Sequence, residues 1–173
     1  MYSIAFITPY FGTLPKQWFQ LTLESCRYNS SIDWILITDD RTEYDYPDNV
    51  KVIYQSWSEF SDLIKCKMSE KLSIDPVLNH PYKLTDYKPL YGDLLQDYVK
   101  EYDFWGYTDI SDVIYGNLRK FITDKDLEKF EKINFLGHLT LFKNEKNINQ
   151  RYMLKMGEDK RLEYVFSSSE NFA

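Results

Sequence analysis

The sequence predicts an α/β protein whose mostly parallel, twisted sheet is flanked by helices. Short, continuous apolar runs, typical of strands buried on both faces, occupy residues 3–8, 34–38 and 104–108. Segments with the helical spacing of apolar residues lie between these runs. Because strands and helices alternate, we expect crossover helices on both faces of a doubly wound sheet.

The first strand and helix follow directly from the opening residues. The strand at residues 3–8 is stopped by Pro9. Pro15 then suits the first turn of a helix, where a missing N–H costs nothing. Phe19, Leu23 and Cys26 follow at a spacing that places them on one side of that helix, so we expect this side to face the core.

Two further strands and a second helix are predicted before residue 72. The run at residues 34–38 ends in two aspartates, and a shorter apolar run occupies residues 50–54. Ser56 or Ser58 is suited to cap a helix that continues through Leu63 and Ile64, because a serine oxygen accepts a hydrogen bond from a free helical N–H. Residues 72–83 read as irregular.

The second half predicts the helix with the strongest pattern in the chain, then a strand and a final strand. The helix begins near Pro89 and repeats apolar side chains at Leu90, Leu94 and Tyr98. After the strand at residues 104–108, Thr123 resembles the start of a capping box, and one last strand covers residues 133–142. We assign residues 1–144 to one domain, and 145–173 to a tail or to the start of an acceptor-binding region.

Composition and charge narrow the function classes. The chain has 173 residues, of which 43% are hydrophobic and 28% charged, the balance of a globular protein with a real core. Lysine and arginine number 21 against 27 acidic residues, a formal net charge of −6. This sign argues against nucleic acid as a partner, because nucleic-acid binders present a basic face.

Cysteine, histidine and leader patterns favour the cytoplasm. Cys26 and Cys66 lie far apart, which suits buried, inert thiols in a reducing compartment and leaves a single disulfide as the alternative. The two histidines, His80 and His138, are too few for a zinc site. The opening apolar run lacks a basic leader, and no run reaches the roughly 20 residues that cross a bilayer.

Polar residues follow three of the predicted strands, where ligands of open α/β sheets bind. Thr8, Pro9 and Tyr10 end the first strand and Asp39 the second; Asp109 and Asp112 follow residues 104–108. Mg²⁺ is commonly held by one or two carboxylates together with substrate phosphates, so the last pair predicts a metal–diphosphate site. The alternative is ordinary turn aspartates, which bond to neighbouring backbone N–H groups.

Lysines cluster before this strongly patterned helix. Lys83 and Lys88 flank Asp86, and helix starts attract anions through their free N–H groups. One interpretation is a phosphate site; the other is a pair of solvated lysines beside a capping aspartate.

Two longer motifs resemble a known family. Residues 83–92 read KLTDYKPLYG, and residues 102–116 read YDFWGYTDISDVIYG. Together they are similar to small bacterial glycosyltransferases of the GT-A fold that act in capsule and lipopolysaccharide synthesis, over most of residues 2–144. The resemblance implies a GT-A-like sheet and transfer of a sugar from a nucleotide-diphosphate donor to a glycan or lipid-linked glycan acceptor.

The resemblance also implies roles for individual residues. Asp109 and Asp112 would hold Mn²⁺ or Mg²⁺, although they stand three positions apart, where the family's aspartates stand two apart. A nucleoside pocket would include Thr8, Pro9, Tyr10 and Asp39. The donor phosphates or sugar would lie near three residues of the lysine cluster: Lys83, Asp86 and Lys88.

Several alternatives stay open at this point. The chain stops near the last predicted strand, so we expect the acceptor half to be missing or to come from a partner chain. A degenerate, non-catalytic nucleotide- or carbohydrate-binding domain is one rival function. A metal-dependent nucleotidyltransferase or phosphoesterase is another. Peripheral attachment to the inner face of the membrane and a homo-oligomer are compatible with the cytoplasmic assignment.

Overall fold

A six-stranded sheet forms the centre of the computed structural model, which describes residues 1–154 and 161–172. In chain order the strands are β1 (Ile4–Tyr10), β2 (Asp33–Thr38), β3 (Val50–Tyr54), β4 (Phe104–Thr108), β5 (Lys132–Leu136) and β6 (Leu139–Lys143). Their order across the sheet is β3-β2-β1-β4-β6-β5. The first four run parallel, whereas β6 is antiparallel to both β4 and β5. The α/β class is confirmed, with an antiparallel part added.

The prediction of one final strand over residues 133–142 is wrong, because the chain turns back at Gly137 and His138. A two-residue connection is too short for a crossover, so the two halves pair as an antiparallel hairpin. Asn134 adopts a left-handed conformation with φ 63°, and the pairing register shifts between Ile133 and Leu136.

Helices cover both faces of the sheet. Their bounds are α1 (Phe19–Tyr28), α2 (Trp57–Leu72), α3 (Leu84–Tyr87), α4 (Tyr91–Leu94), α5 (Gln96–Val99), α6 (Asp124–Lys129), α7 (Lys146–Asn149) and α8 (Arg161–Ser167). One core layer packs α2 to α5 and α8 against Ala5 and Ile7 of β1, and the other packs α1 and α6 against Ile4 and Phe6. Alternate residues of β1 therefore serve opposite cores, as its continuous apolar run predicts.

Helix α1 begins later than predicted but buries the predicted side. Its first residue is Phe19, whose N–H bonds to the Pro15 carbonyl at 2.9 Å, so the proline lies one turn ahead of the helix. The side chains of Phe19, Leu23 and Cys26 are fully buried. Burial raises the pKa of the Cys26 thiol to about 12. Both cysteines are free, and Cys66 is exposed, contrary to the expectation of two buried thiols.

The strongly patterned helix predicted near residues 89–98 is instead a series of short helical turns. A 3₁₀ turn (Lys88–Leu90) separates α3 from α4, and Leu95, at φ −112° and ψ 28°, separates α4 from α5. Pro89 offers no N–H for a continuous α-helical ladder, which accounts for the first break. The predicted apolar side is nevertheless correct, since Leu90 and Leu94 are buried.

The described residues after 144 pack on the same body as the rest. Ile148 of α7 and Phe166 of α8 are buried, and the Val77 N–H donates to the Phe166 carbonyl at 2.7 Å. Segment 161–172 therefore lies against the loop that precedes α3. Within residues 1–154 and 161–172, no helix combines the length and apolar character needed to cross a membrane.

Ser56, one of the two predicted caps, is the N-cap of α2. Its Oγ accepts from the Glu59 N–H at 3.3 Å, and the Glu59 carboxylate accepts from the Ser56 N–H at 2.8 Å, completing a capping box. We expect Ser56→Ala to lower the free energy of unfolding by about 1 kcal/mol, because the Glu59 N–H loses its acceptor and the Glu59 carboxylate loses the Ser56 hydroxyl as a donor. Ser58→Ala is the matched control in urea denaturation; equal losses in both variants would contradict the assignment.

Candidate functional site

The strand order creates a crevice at the carboxyl ends of β1 and β4. From β1 the chain continues to β2 and β3 on one side, and it returns to the other side through β4. At such a switch point the loops diverge and leave a space for ligands. A pocket of about 900 Å³ occupies this position. Its size matches sites for cofactor- and nucleotide-sized ligands.

The lining of the pocket comes from five parts of the chain. The end of β1, the lysine-containing turns around α3, the end of β4 and the β5–β6 turn surround it, and Val165 and Phe172 of the C-terminal segment close one side. Aromatic rings of Tyr10, Phe11 and Tyr107 contribute to the walls. Seven of the nine predicted site residues line this pocket together with the intervening Ser111, namely Thr8, Pro9, Tyr10, Asp86, Lys88, Asp109 and Asp112.

The hydroxyl groups of Thr8 and Tyr10 both bond to backbone carbonyls of the protein. The Thr8 hydroxyl donates to the Ile35 carbonyl at 3.1 Å, and the Tyr10 hydroxyl to the Thr13 carbonyl at 3.2 Å. Burial, with the nearby carboxylates of Asp112 and Asp40, raises the pKa of Tyr10, so its hydroxyl stays protonated at neutral pH. These residues therefore offer the pocket mainly an aromatic ring and apolar surface.

Asp39 and its neighbour Asp40 fix the loop after β1. The Asp39 carboxylate accepts from the Gly12 N–H at 2.7 Å, where Gly12 has φ 105°, and Asp40 accepts from the Leu14 N–H at 2.7 Å. Burial opposes ionisation of Asp40, but hydrogen bonds from Thr42 and Leu14 outweigh it and lower its pKa. Asp39 is exposed and is not among the described residues that line the pocket.

Asp109 lies at the centre of a charged cluster. Its Oδ1 pairs with the Lys88 ammonium at 2.7 Å, and its Oδ2 lies 2.7 Å from His138 Nδ1. The Lys88 ammonium also donates to the Gly137 carbonyl at 3.0 Å. The side chains of Lys88 and Asp109 are 17% and 28% exposed, so the pair faces the pocket without being fully solvated.

Backbone and hydroxyl contacts hold this cluster in place. Thr108 Oγ1 donates to the His138 carbonyl at 2.7 Å, which ties the β5–β6 turn to the end of β4. The buried Tyr115 hydroxyl donates to the Asp109 carbonyl at 3.1 Å. The carboxylate therefore projects from a rigid strand end.

Asp112 takes a different position from Asp109. It is exposed, and its Oδ1 accepts from Ser111 Oγ at 3.4 Å. The Ser111 carbonyl accepts from Trp18 Nε1 at 2.7 Å, which anchors the turn to the start of α1. Asp112 acts on Tyr10, whose pKa it helps to raise, so the turn brings it towards the end of β1.

The side chains as placed do not fit a divalent cation at Asp109. Both carboxylate oxygens are already paired, one of them with an ammonium that would repel the metal. Within the described ranges, no three His, Cys, Asp or Glu side chains group closely enough to hold a metal ion. The Mn²⁺ or Mg²⁺ site at Asp109 and Asp112 stays a prediction, and the geometry favours an ammonium at that position.

Lys83 lies apart from this cluster. Its side chain is fully buried and pairs with Asp86 at 2.7 Å. The same ammonium donates to the carbonyls of Val165 (3.0 Å) and Glu170, and the Phe172 N–H donates to Asp86 at 3.0 Å. All three N–H donors of Lys83 are thus engaged. In place of a phosphate, the Lys83–Asp86 pair holds the C-terminal segment against the pocket.

The sequence analysis did not predict that the C-terminal segment would form one wall of the pocket, or that His138 would line it. Leu162, Val165 and Phe166 recur at i, i+3 and i+4, a spacing that predicts an amphipathic helix and could have indicated this wall. His138 falls inside the single strand predicted over residues 133–142, whereas in the structure it lies in the β5–β6 turn and contacts Asp109. Its position next to Gly137 was the available signal for a turn at the strand ends.

The fold and pocket together define an α/β protein with a ligand-sized cavity at a topological switch point. A protein-family profile described as "Family of unknown function (DUF6625)" matches residues 6–173, so the chain belongs to this family. The matched range covers both sides of the predicted boundary at residue 144. The comparisons with curated proteins and with solved structures gave no match.

Proposed function

We propose that the protein is a glycosyltransferase that takes a nucleotide-diphosphate sugar as donor and a capsular or lipopolysaccharide glycan as acceptor. The observation that carries the proposal is the pocket of about 900 Å³ at the carboxyl ends of β1 and β4, with the Lys88–Asp109 pair in its wall. The motifs at residues 83–92 and 102–116, which resemble GT-A glycosyltransferases, contribute residues to this same wall.

The chemistry of the wall suits the parts of such a donor. Nucleobases stack on aromatic rings, which Tyr10, Phe11 and Tyr107 provide. In the reaction, the bond from the anomeric carbon to the diphosphate oxygen breaks, and a bond to the acceptor oxygen forms. The acceptor hydroxyl loses its proton, and the nucleoside diphosphate departs with increased negative charge. A positive group beside that leaving group stabilises the transition state.

The proposal is tested by incubating the protein with UDP-, GDP- and dTDP-sugars, with and without a glycan acceptor, and separating the products by chromatography. We expect one nucleoside diphosphate to be released faster when the acceptor is present. Binding of a nucleotide without turnover would support the non-catalytic alternative. Release of pyrophosphate or inorganic phosphate would support a nucleotidyltransferase or phosphoesterase. Either outcome would overturn the transferase.

A bulky side chain in the β5–β6 turn should block the pocket. Gly137 lines the pocket, and a Cβ placed on it would meet no atom within 4 Å. We expect Gly137→Trp to weaken nucleotide binding about tenfold or more, a loss of roughly 1.4 kcal/mol for each factor of ten. Isothermal titration with the preferred nucleoside diphosphate measures this change.

Gly116→Trp is the matched control for this variant. Gly116 also has open space around its Cβ and is not among the described residues that line the pocket. It should bind nucleotide like the wild type. Equal affinities for all three proteins would place the nucleotide outside this pocket.

A further inference from the structure

We infer that the Lys88 ammonium, held on Asp109, supplies the positive charge that faces the donor diphosphate, in the place where a divalent cation is predicted. The inference rests on the proposed function, because it assigns the charge that stabilises the nucleoside diphosphate in the same pocket. It makes binding of the nucleoside diphosphate independent of metal.

The position of Lys88 carries the first step. The residue begins the 3₁₀ turn before α4, and its side chain lines the pocket. Its ammonium lies 2.7 Å from Asp109 Oδ1 and 3.0 Å from the Gly137 carbonyl, with the Tyr107 ring centroid at 5.5 Å. Three structural parts, a helical turn, a strand end and a hairpin turn, therefore fix the charge at one point.

The unused bonding capacity of Lys88 carries the second step. A lysine ammonium has three N–H donors, and within residues 1–154 and 161–172 two of those of Lys88 are engaged. One donor remains for a ligand in the pocket. Lys83 provides the contrast, because its ammonium is buried and engaged by three oxygens of the protein. Of these two lysines, Lys88 is the one that can reach a phosphate oxygen.

The charge balance at Asp109 carries the third step. The carboxylate is compensated by the ammonium on one oxygen, and its other oxygen lies 2.7 Å from His138 Nδ1. A divalent cation on Asp109 would first have to displace Lys88, since two like charges at this distance repel. Removing Lys88 should therefore open the carboxylate to an added metal ion.

The test measures binding of UDP, GDP and dTDP by isothermal titration, in EDTA and in Mn²⁺. For the wild type we expect binding in EDTA and a change of less than about twofold on adding Mn²⁺. Lys88→Ala should bind about tenfold or more weakly in EDTA, one factor of ten being about 1.4 kcal/mol. Mn²⁺ should restore part of that loss, because Asp109 is then free to hold the metal.

A matched control and three contrary outcomes complete the test. Lys125→Ala removes an exposed lysine on α6 and should bind like the wild type. Two outcomes would overturn the role of Lys88 and leave the proposed transferase function intact. One is wild-type binding that requires Mn²⁺. The other is a Lys88→Ala variant that binds normally in EDTA while its thermal unfolding is unchanged. A wild type that binds none of the three nucleotides in either buffer would overturn the proposed function itself.

Discussion

Asp86→Asn should lower the free energy of unfolding by about 3–5 kcal/mol, because it leaves the Lys83 charge without its counter-ion in the interior. The side chains of Lys83 and Asp86 are 0% and 1% exposed. The substitution also weakens the contact between Asp86 and the Phe172 N–H, so segment 161–172 should lose its attachment. Urea denaturation measures the first effect, and hydrogen exchange in the C-terminal segment measures the second.

An exposed pair with the same spacing provides the control. Asp62 and Lys65 also stand three positions apart and lie 2.8 Å from each other, but their side chains are 66% and 38% exposed. Asp62→Asn should change the free energy of unfolding by less than about 1 kcal/mol. If Asp86→Asn were as mild as this control, the C-terminal segment would not depend on the buried pair.

Gly92→Ala should destabilise the protein by about 3 kcal/mol, at the upper end of the usual cost of overpacking. A Cβ on Gly92 would lie 2.0 Å from Trp105 Cε2. The indole cannot withdraw, because it is fully buried, donates from Nε1 to Asn149 Oδ1 at 2.6 Å and stacks on Phe142 at 4.7 Å between centroids. Thermal and urea denaturation measure the loss.

Two further variants isolate the cause of that loss. Gly116→Ala adds the same methyl group in open space and should change stability by less than about 0.5 kcal/mol. In the Trp105→Phe background, Gly92→Ala should cost less than in the wild type, because the ring that it meets is smaller. An equal cost in both backgrounds would show that the backbone of α4, rather than the indole, rejects the methyl group.

The elements that the sequence predicted well are those with strong local signals. The buried strands at β1, β2 and β4 have uninterrupted apolar runs, and the caps at Ser56 and Thr123 have the right residues three positions apart. In each case residues that are neighbours in the sequence determine the local structure. Such elements can therefore be predicted without knowing how the rest of the chain folds.

The errors come from tertiary contacts and from chain reversals. The apolar period of residues 89–98 indicates the buried side of the segment but not the break at Leu95. It also gives no sign that Gly92 lies directly against the Trp105 indole. The final hairpin resembles one long strand, because its turn is only two residues long.

The sequence predicted part of the candidate site, namely the part that follows from the order of the strands. Parallel strands bring their carboxyl ends to one edge, so the approach of Tyr10 and Asp109 follows from topology. The different partners of Lys83 and Lys88 do not follow from the topology. Five residues apart and alike in sequence context, one is buried against segment 161–172 and the other faces the pocket. Their difference depends on a helix about 80 residues away, which no local pattern contains.

The most direct measurement of the central claim is a crystal structure of the protein soaked with a nucleoside diphosphate in EDTA. We expect the nucleotide in the crevice between the end of β1 and the end of β4, with a phosphate oxygen about 3 Å from Lys88 Nζ. A diphosphate bound elsewhere on the molecule, or this pocket remaining empty at saturating nucleotide, would contradict the account.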